Sequence, residues 1–235
     1  MSTPLLPLSP ALVTFHVAGA TIGLLSGFLS MLFRKGSNLH RAAGNVFVIS
    51  MLSMTTSAAF MALFMKPNTG NVVAAMLTFY LVATGWWTAR RKEATVGTFD
   101  RAAMLFAFAI AAIGWTFGFR PAAKSLAVMY FIFGTIAFLF GLSDIRMIAR
   151  GGVAGAKRVK RHLLRMGLAL LIATMSFYPG QAKLIPKESR SGLLYLPHMF
   201  LIGSIVFWMV RYSARKSVKS TTVVETSNVE ARRAA

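Results

Sequence analysis

The stretch ALVTFHVAGATIGLLSGFLSMLF, residues 11–33, runs for 23 residues without a charged side chain. At about 1.5 Å per residue, a helix of that length covers the roughly 30 Å of a bilayer's hydrocarbon core. Apolar runs of similar length recur along the chain. They predict spans at 11–33, 42–65, 72–89, 102–119, 125–148, 162–179 and 193–212. In lipid every backbone polar group must be satisfied internally, so such runs are read as helices. The expected fold is therefore all-α, a polytopic membrane bundle of seven transmembrane helices. Residues 1–10 form a short N-terminal segment, 11–212 the transmembrane domain, and 213–235 a polar, basic tail expected to be disordered.

Composition agrees. Of 235 residues, 56% are hydrophobic and 14% charged, where soluble domains carry about a quarter charged residues. The formal charge of +20 raises the question of nucleic acid. The basic residues sit in short connections between apolar runs, a topology signal, so no nucleic-acid partner is expected. There are no cysteines, which excludes disulfides, thiolate-ligated clusters and haem attached through Cys-x-x-Cys-His. The start MSTPLLPLSP lacks a basic segment before its apolar run, so no cleavable leader is expected.

The breaks between spans carry turn and cap chemistry. Gly36-Ser37-Asn38 separates spans one and two, with Ser37 or Asn38 as N-cap. Lys66 to Gly70 separates two and three, Asp100 can cap span four, and Pro179-Gly180 closes span six. Orientation follows from lysine and arginine. With the N-terminus outside, six of the 26 fall outside: Lys66, Arg120, Lys124, Lys183, Lys187 and Arg190. The rest fall inside, which predicts an external N-terminus, a cytoplasmic C-terminus and contact with anionic lipids at the cytoplasmic face.

Depth then sorts the four histidines. His16 lies about five residues into span one, roughly 7–8 Å below the outer edge, and His198 lies equally deep in span seven. His40 and His162 open spans two and six from the inside. Level-matched imidazoles on different helices suit axial ligation of a flat porphyrin, so haem b is the expected cofactor, its iron held by His16/His198 and His40/His162. Gly19 and Gly23, on the face of His16 together with Gly27, and Gly44 near His40 offer room for a ring. The competing account of the stripe is close helix packing, with the histidine hydrogen-bonded across the contact. For His40 and His162 it is a basic cluster facing lipid phosphates. Asp144 is the one acid expected inside a span. It calls for a partner among Arg146, Arg165 and the His162 region, with proton relay as a second role. Tyr80 is expected to be packed in mid-span, with a proton or quinone role as the alternative. Gly114 and Gly134 are the near-midplane interruptions that a transporter would exploit. A zinc hydrolase is disfavoured, because no third ligand joins either histidine pair.

HVAGATIGLLSGF (16–28), RKGSNLHRAAG (34–44) and RHLLRMGLALLIATMSFY (161–178) resemble a family of bacterial integral membrane proteins known as domain of unknown function 2306. The resemblance runs over roughly residues 11 to 212. It implies a multi-pass protein of the bacterial inner membrane and no particular chemistry. The histidine-then-glycine pattern also resembles two-haem transmembrane b-type cytochromes, which implies electron transfer and a membrane oxidoreductase component. The expected function is thus a b-type haem redox protein. The alternatives are a small-molecule transporter or a non-catalytic accessory protein, acting with a membrane partner subunit or as a homo-oligomer.

Overall fold

The computed structural model describes residues 6–91, 93–121, 126–181 and 195–213, with side chains omitted at 178–181. Lys124, Lys183, Lys187, Arg190, the first five residues, residues 193–194 of the seventh expected span and the tail from 214 lie outside the described residues. The described residues form the helices α1 (Pro10–Leu32), α2 (Asn38–Phe60), α3 (Thr69–Arg90), α4 (Thr98–Gly118), α5 (Ala127–Ala149), α6 (Gly155–Gln181) and α7 (196–213), joined by short connections. Each overlaps one expected span. Five of them, α1 to α5 with α2 extended to Met65, are long and apolar enough to cross a membrane.

Side chains set several boundaries. Ser37 caps α2 by accepting from the His40 N–H at 3.2 Å, and Asn68 caps α3 by accepting from Asn71 N–H at 3.1 Å. In α4 the N-cap position is Gly97 rather than Asp100. Asp100 sits three residues on and reaches back, accepting from the Gly97 N–H at 2.8 Å and from Arg91 at 2.8 Å. Beyond α2 the chain widens into a π-helical turn, Met61–Met65, a form often found at functional positions.

Two antiparallel hairpins, α1–α2 and α4–α5, flank α3, and α6 packs along α3 on the side left open. Small residues decide the closest approaches. A Cβ on Gly114 would meet Gly134 Cα and Tyr130 O at 3.0 Å, and one on Gly134 would meet Trp115 at 3.0 Å. Neither glycine interrupts its helix, so the midplane breaks expected at Gly114 and Gly134 are a backbone-to-backbone contact of the small-residue kind. α7 packs on α6, where Ile205 fills the space beside Gly167.

Large apolar side chains lie on the outside as well as in the core. Leu25, Leu32, Val206 and Val210 are exposed, whereas Asp144 and Arg165 are fully buried. Apolar surface around a charged interior is the inverse of a soluble domain and suits a lipid solvent.

Candidate functional site

The ends of the bundle differ in chemistry. The beginnings of α1 and α3 meet the far ends of α2 and α6 around a cavity of about 480 Å³. Its polar lining is His16, Thr55, Lys66, Asn68, Asn71, Thr78 and Ser176. His16 Nδ1 lies 3.2 Å from both Met54 O and Ser57 Oγ. A carbonyl only accepts, so Nδ1 is the protonated nitrogen and donates. The π-helical turn supplies Met61 and Ala62 to the wall, and the N-terminal segment is tied over that turn by Leu6 N–H donating to Phe64 O at 3.0 Å.

Deeper in the bundle, three helices converge on Asp144. From α3, Tyr80 donates its hydroxyl to Asp144 Oδ2 at 2.5 Å. From α6, Arg161 and Arg165 each donate to Oδ1 at 2.5 Å. Arg165 also donates to Thr84 Oγ1, and its guanidinium lies 5.0 Å over the rings of both Tyr80 and Phe140. Arg161 Nε donates to Thr88 Oγ1 at 3.2 Å. Tyr80, Thr84 and Thr88 recur every four residues, so they share one face of α3. Arg161 and Arg165 share a face of α6 by the same rule. Two further bonds extend this seam, from His162 Nδ1 to Gly85 O at 3.0 Å and from Arg158 to Arg91 O at 2.5 Å. Asp144 therefore pairs with Arg165 and Arg161, while no bond joins it to Arg146 among the described residues. Removing the carboxylate would leave two guanidiniums in the interior without their counter-ion, which is strongly destabilising.

Beyond this cluster a cavity of about 840 Å³ opens between the end of α5, the start of α6 and Met209 of α7. Arg146, Arg150, Lys157, Lys160, Arg161 and Arg165 line it. Gly152 holds the turn between α5 and α6 at φ +117°, and a Cβ there would meet the backbone of Ala94 and Thr95 at 2.7–2.9 Å. That contact locks the turn against the α3–α4 connection.

The outer histidine pair does not assemble as a haem requires. The face of α1 bearing Gly19, Gly23 and Gly27 is filled. A Cβ at Gly19 would meet Met54 at 3.5 Å, at Gly23 Met51 at 3.1 Å, and at Gly27 Leu170 at 2.8 Å and Phe47 at 2.9 Å. The stripe serves helix contact and leaves no slot for a ring. His198 is buried with Tyr195 6.1 Å from its ring, and it is not among the residues around the His16 cavity. His40 and His162 lie within electrostatic reach of each other and of Lys35. His40 Nδ1 donates to Ser30 O at 2.8 Å, and Lys35 donates to Met31 O at 2.6 Å, so both satisfy open carbonyls at the end of α1. Burial pushes the Lys35 ammonium below the ordinary lysine range. A donated Nδ1 is also what a metal-ligating histidine shows, so the tautomer does not decide the matter. The packed glycine face does: the residues present do not fit an outer haem, and a two-haem path across the bilayer loses its outer half. Space beside Gly44 is open.

The family described as "Predicted membrane protein (DUF2306)" matches residues 13–144. The chain belongs to this family. The match takes in α1 to α4 and α5 as far as Asp144. The arginines that meet Asp144 lie on the part of this DUF2306 member beyond it. No curated protein and no solved structure matches the chain.

Two signals in the sequence point to the buried cluster. One is the spacing of Tyr80, Thr84 and Thr88 in an otherwise apolar span. The other is Arg161 and Arg165 at helical spacing where the sixth apolar run begins. Neither identifies α3 and α6 as neighbours.

Proposed function

We propose that this DUF2306 member is a seven-span protein of the bacterial inner membrane, N-terminus outside and C-terminus in the cytoplasm, that works as a small-molecule transporter. One observation carries the reading: two cavities enter from opposite ends of the bundle, and a closed charged cluster lies between them. On α6 the basic cavity ends at Arg165 and the His16 cavity begins at Ile172. Seven residues of helix, about 10 Å, form the septum. On α3, Thr78 lines one cavity and Thr84 holds Arg165. Moving a solute across requires the α3–α6 seam to part and re-form, and the bonds to Asp144 are the ones that exchange. The lysine and arginine distribution supports the orientation.

The absence of cysteine makes the test direct. Ala169 is fully buried and lies between the cavities on α6. With a membrane-impermeant thiol reagent, Ala58→Cys reacts from outside and Ala154→Cys from the cytoplasm. Ala169→Cys reacts slowly from both sides if the septum opens alternately. An Ala169→Cys that never reacts, or reacts from one side only, rejects transport in favour of an accessory protein. A phosphatase fusion at the C-terminus is expected to stay inactive; an active one overturns the orientation.

A further inference from the structure

The basic cavity holds more positive charge than the described residues neutralise. Among the described residues, six cationic side chains line it and no carboxylate does. The nearest acid, Asp144, already accepts from Tyr80, Arg161 and Arg165. Arg146, Arg150 and Lys157 form no salt bridge among the described residues. Arg165 is wholly buried, yet its Nε has no hydrogen-bond partner among the described residues. A buried guanidinium donor left open is costly unless something accepts from it. We infer that this cavity between α5, α6 and α7 binds a phosphate-bearing anion.

The chemistry fits in three respects. Arginine forks match phosphate oxygens two at a time, while lysines supply mobile point charge. The volume of about 840 Å³ far exceeds a halide and suits a phosphate ester or a lipid headgroup. Phe140, Val153, Leu164 and Met209 add an apolar wall beside the cations, where glycerol or acyl carbons would lie. Basic pockets between membrane helices at the cytoplasmic side are a recurring setting for anionic headgroups. The site does not depend on transport: a septum that never opens leaves the same cavity with the same charge.

The test uses the purified full-length protein in neutral detergent and reads thermal unfolding. One arm adds inorganic phosphate against chloride at equal ionic strength. The other adds phosphatidylglycerol against phosphatidylcholine, with native mass spectrometry counting retained lipid. Arg146→Gln/Lys157→Gln/Lys160→Gln removes three of the cations that line the cavity and leaves the Asp144 cluster intact. Arg34→Gln/Arg41→Gln/Arg101→Gln removes equal charge from exposed positions elsewhere. The expected result is a rise in Tm of several degrees in at least one arm, kept by the second triple variant and lost in the first. A rise with phosphatidylglycerol alone assigns a lipid headgroup; a rise with inorganic phosphate assigns a soluble phosphate ligand. If neither arm stabilises the protein, or both triple variants respond equally, the inference is wrong. Should the rim triple not fold, Lys157→Gln alone, exposed at the first turn of α6, must lower the response measurably.

Discussion

The two cavities share a wall and differ in character. α6 lines both, yet its first half carries Lys157, Arg158, Lys160, Arg161, His162 and Arg165, and its second half up to Phe177 carries no charge. The His16 cavity is therefore polar with one lysine, while the basic cavity is strongly positive. One helix can serve both only because its last arginine is neutralised inside the bundle by Asp144 of α5. A charged group at that depth is tolerated where a counter-charge pairs with it. The boundary between the two regions is thus an electrostatic one, built from side chains on three helices.

That boundary can be broken in graded steps. Asp144→Ala should have the largest effect, because it leaves Arg161 and Arg165 buried without a counter-ion. A loss of about 3–5 kcal/mol is expected, read as a large fall in Tm in detergent; Asp144→Glu should recover part of it. Tyr80→Phe removes one donor to the carboxylate and keeps both arginines, so about 1.5–3 kcal/mol is expected. A Tyr80→Phe protein as stable as the parent would show that the short bond to Asp144 is not formed. Gly152→Ala tests the wall of the basic cavity alone. Its φ of +117° and the backbone of Ala94 and Thr95 at 2.7–2.9 Å both resist a methyl group, for a cost of about 1–3 kcal/mol. Limited proteolysis of the α3–α4 and α5–α6 connections should then speed up. His16→Ala touches only the other cavity and should cost least, about 1 kcal/mol for the bonds to Met54 O and Ser57 Oγ. It should leave phosphate binding at the far end unchanged.

The helices were readable from the residues, since a membrane span announces itself by length and the lack of charge. Ser37 as a cap and Arg165 as one candidate partner of Asp144 were also within reach, because caps and buried charges obey local rules. What could not be read was contact between helices distant in the chain. The depth argument for His16 and His198 said nothing of which helices face each other. α1 turned its glycines to α2 and α6, where Met51, Phe47 and Leu170 take the space. Tyr80 read as a packed tyrosine because its partner, Asp144, lies 64 residues away. Gly114 and Gly134 looked like breaks because glycine weakens a helix in water. In this bundle they let α4 and α5 touch backbone to backbone.

The cluster at the septum has an electrical consequence. Arg161 and Arg165 against Asp144 leave one net positive charge within the bundle. Any rearrangement that carries this cluster along the membrane normal moves that charge through the membrane potential. Crossing the whole field is worth about 2.3 kcal/mol per charge per 100 mV. A septum that shifts even part of the way would thus register the voltage across the membrane, and one that stays still would not.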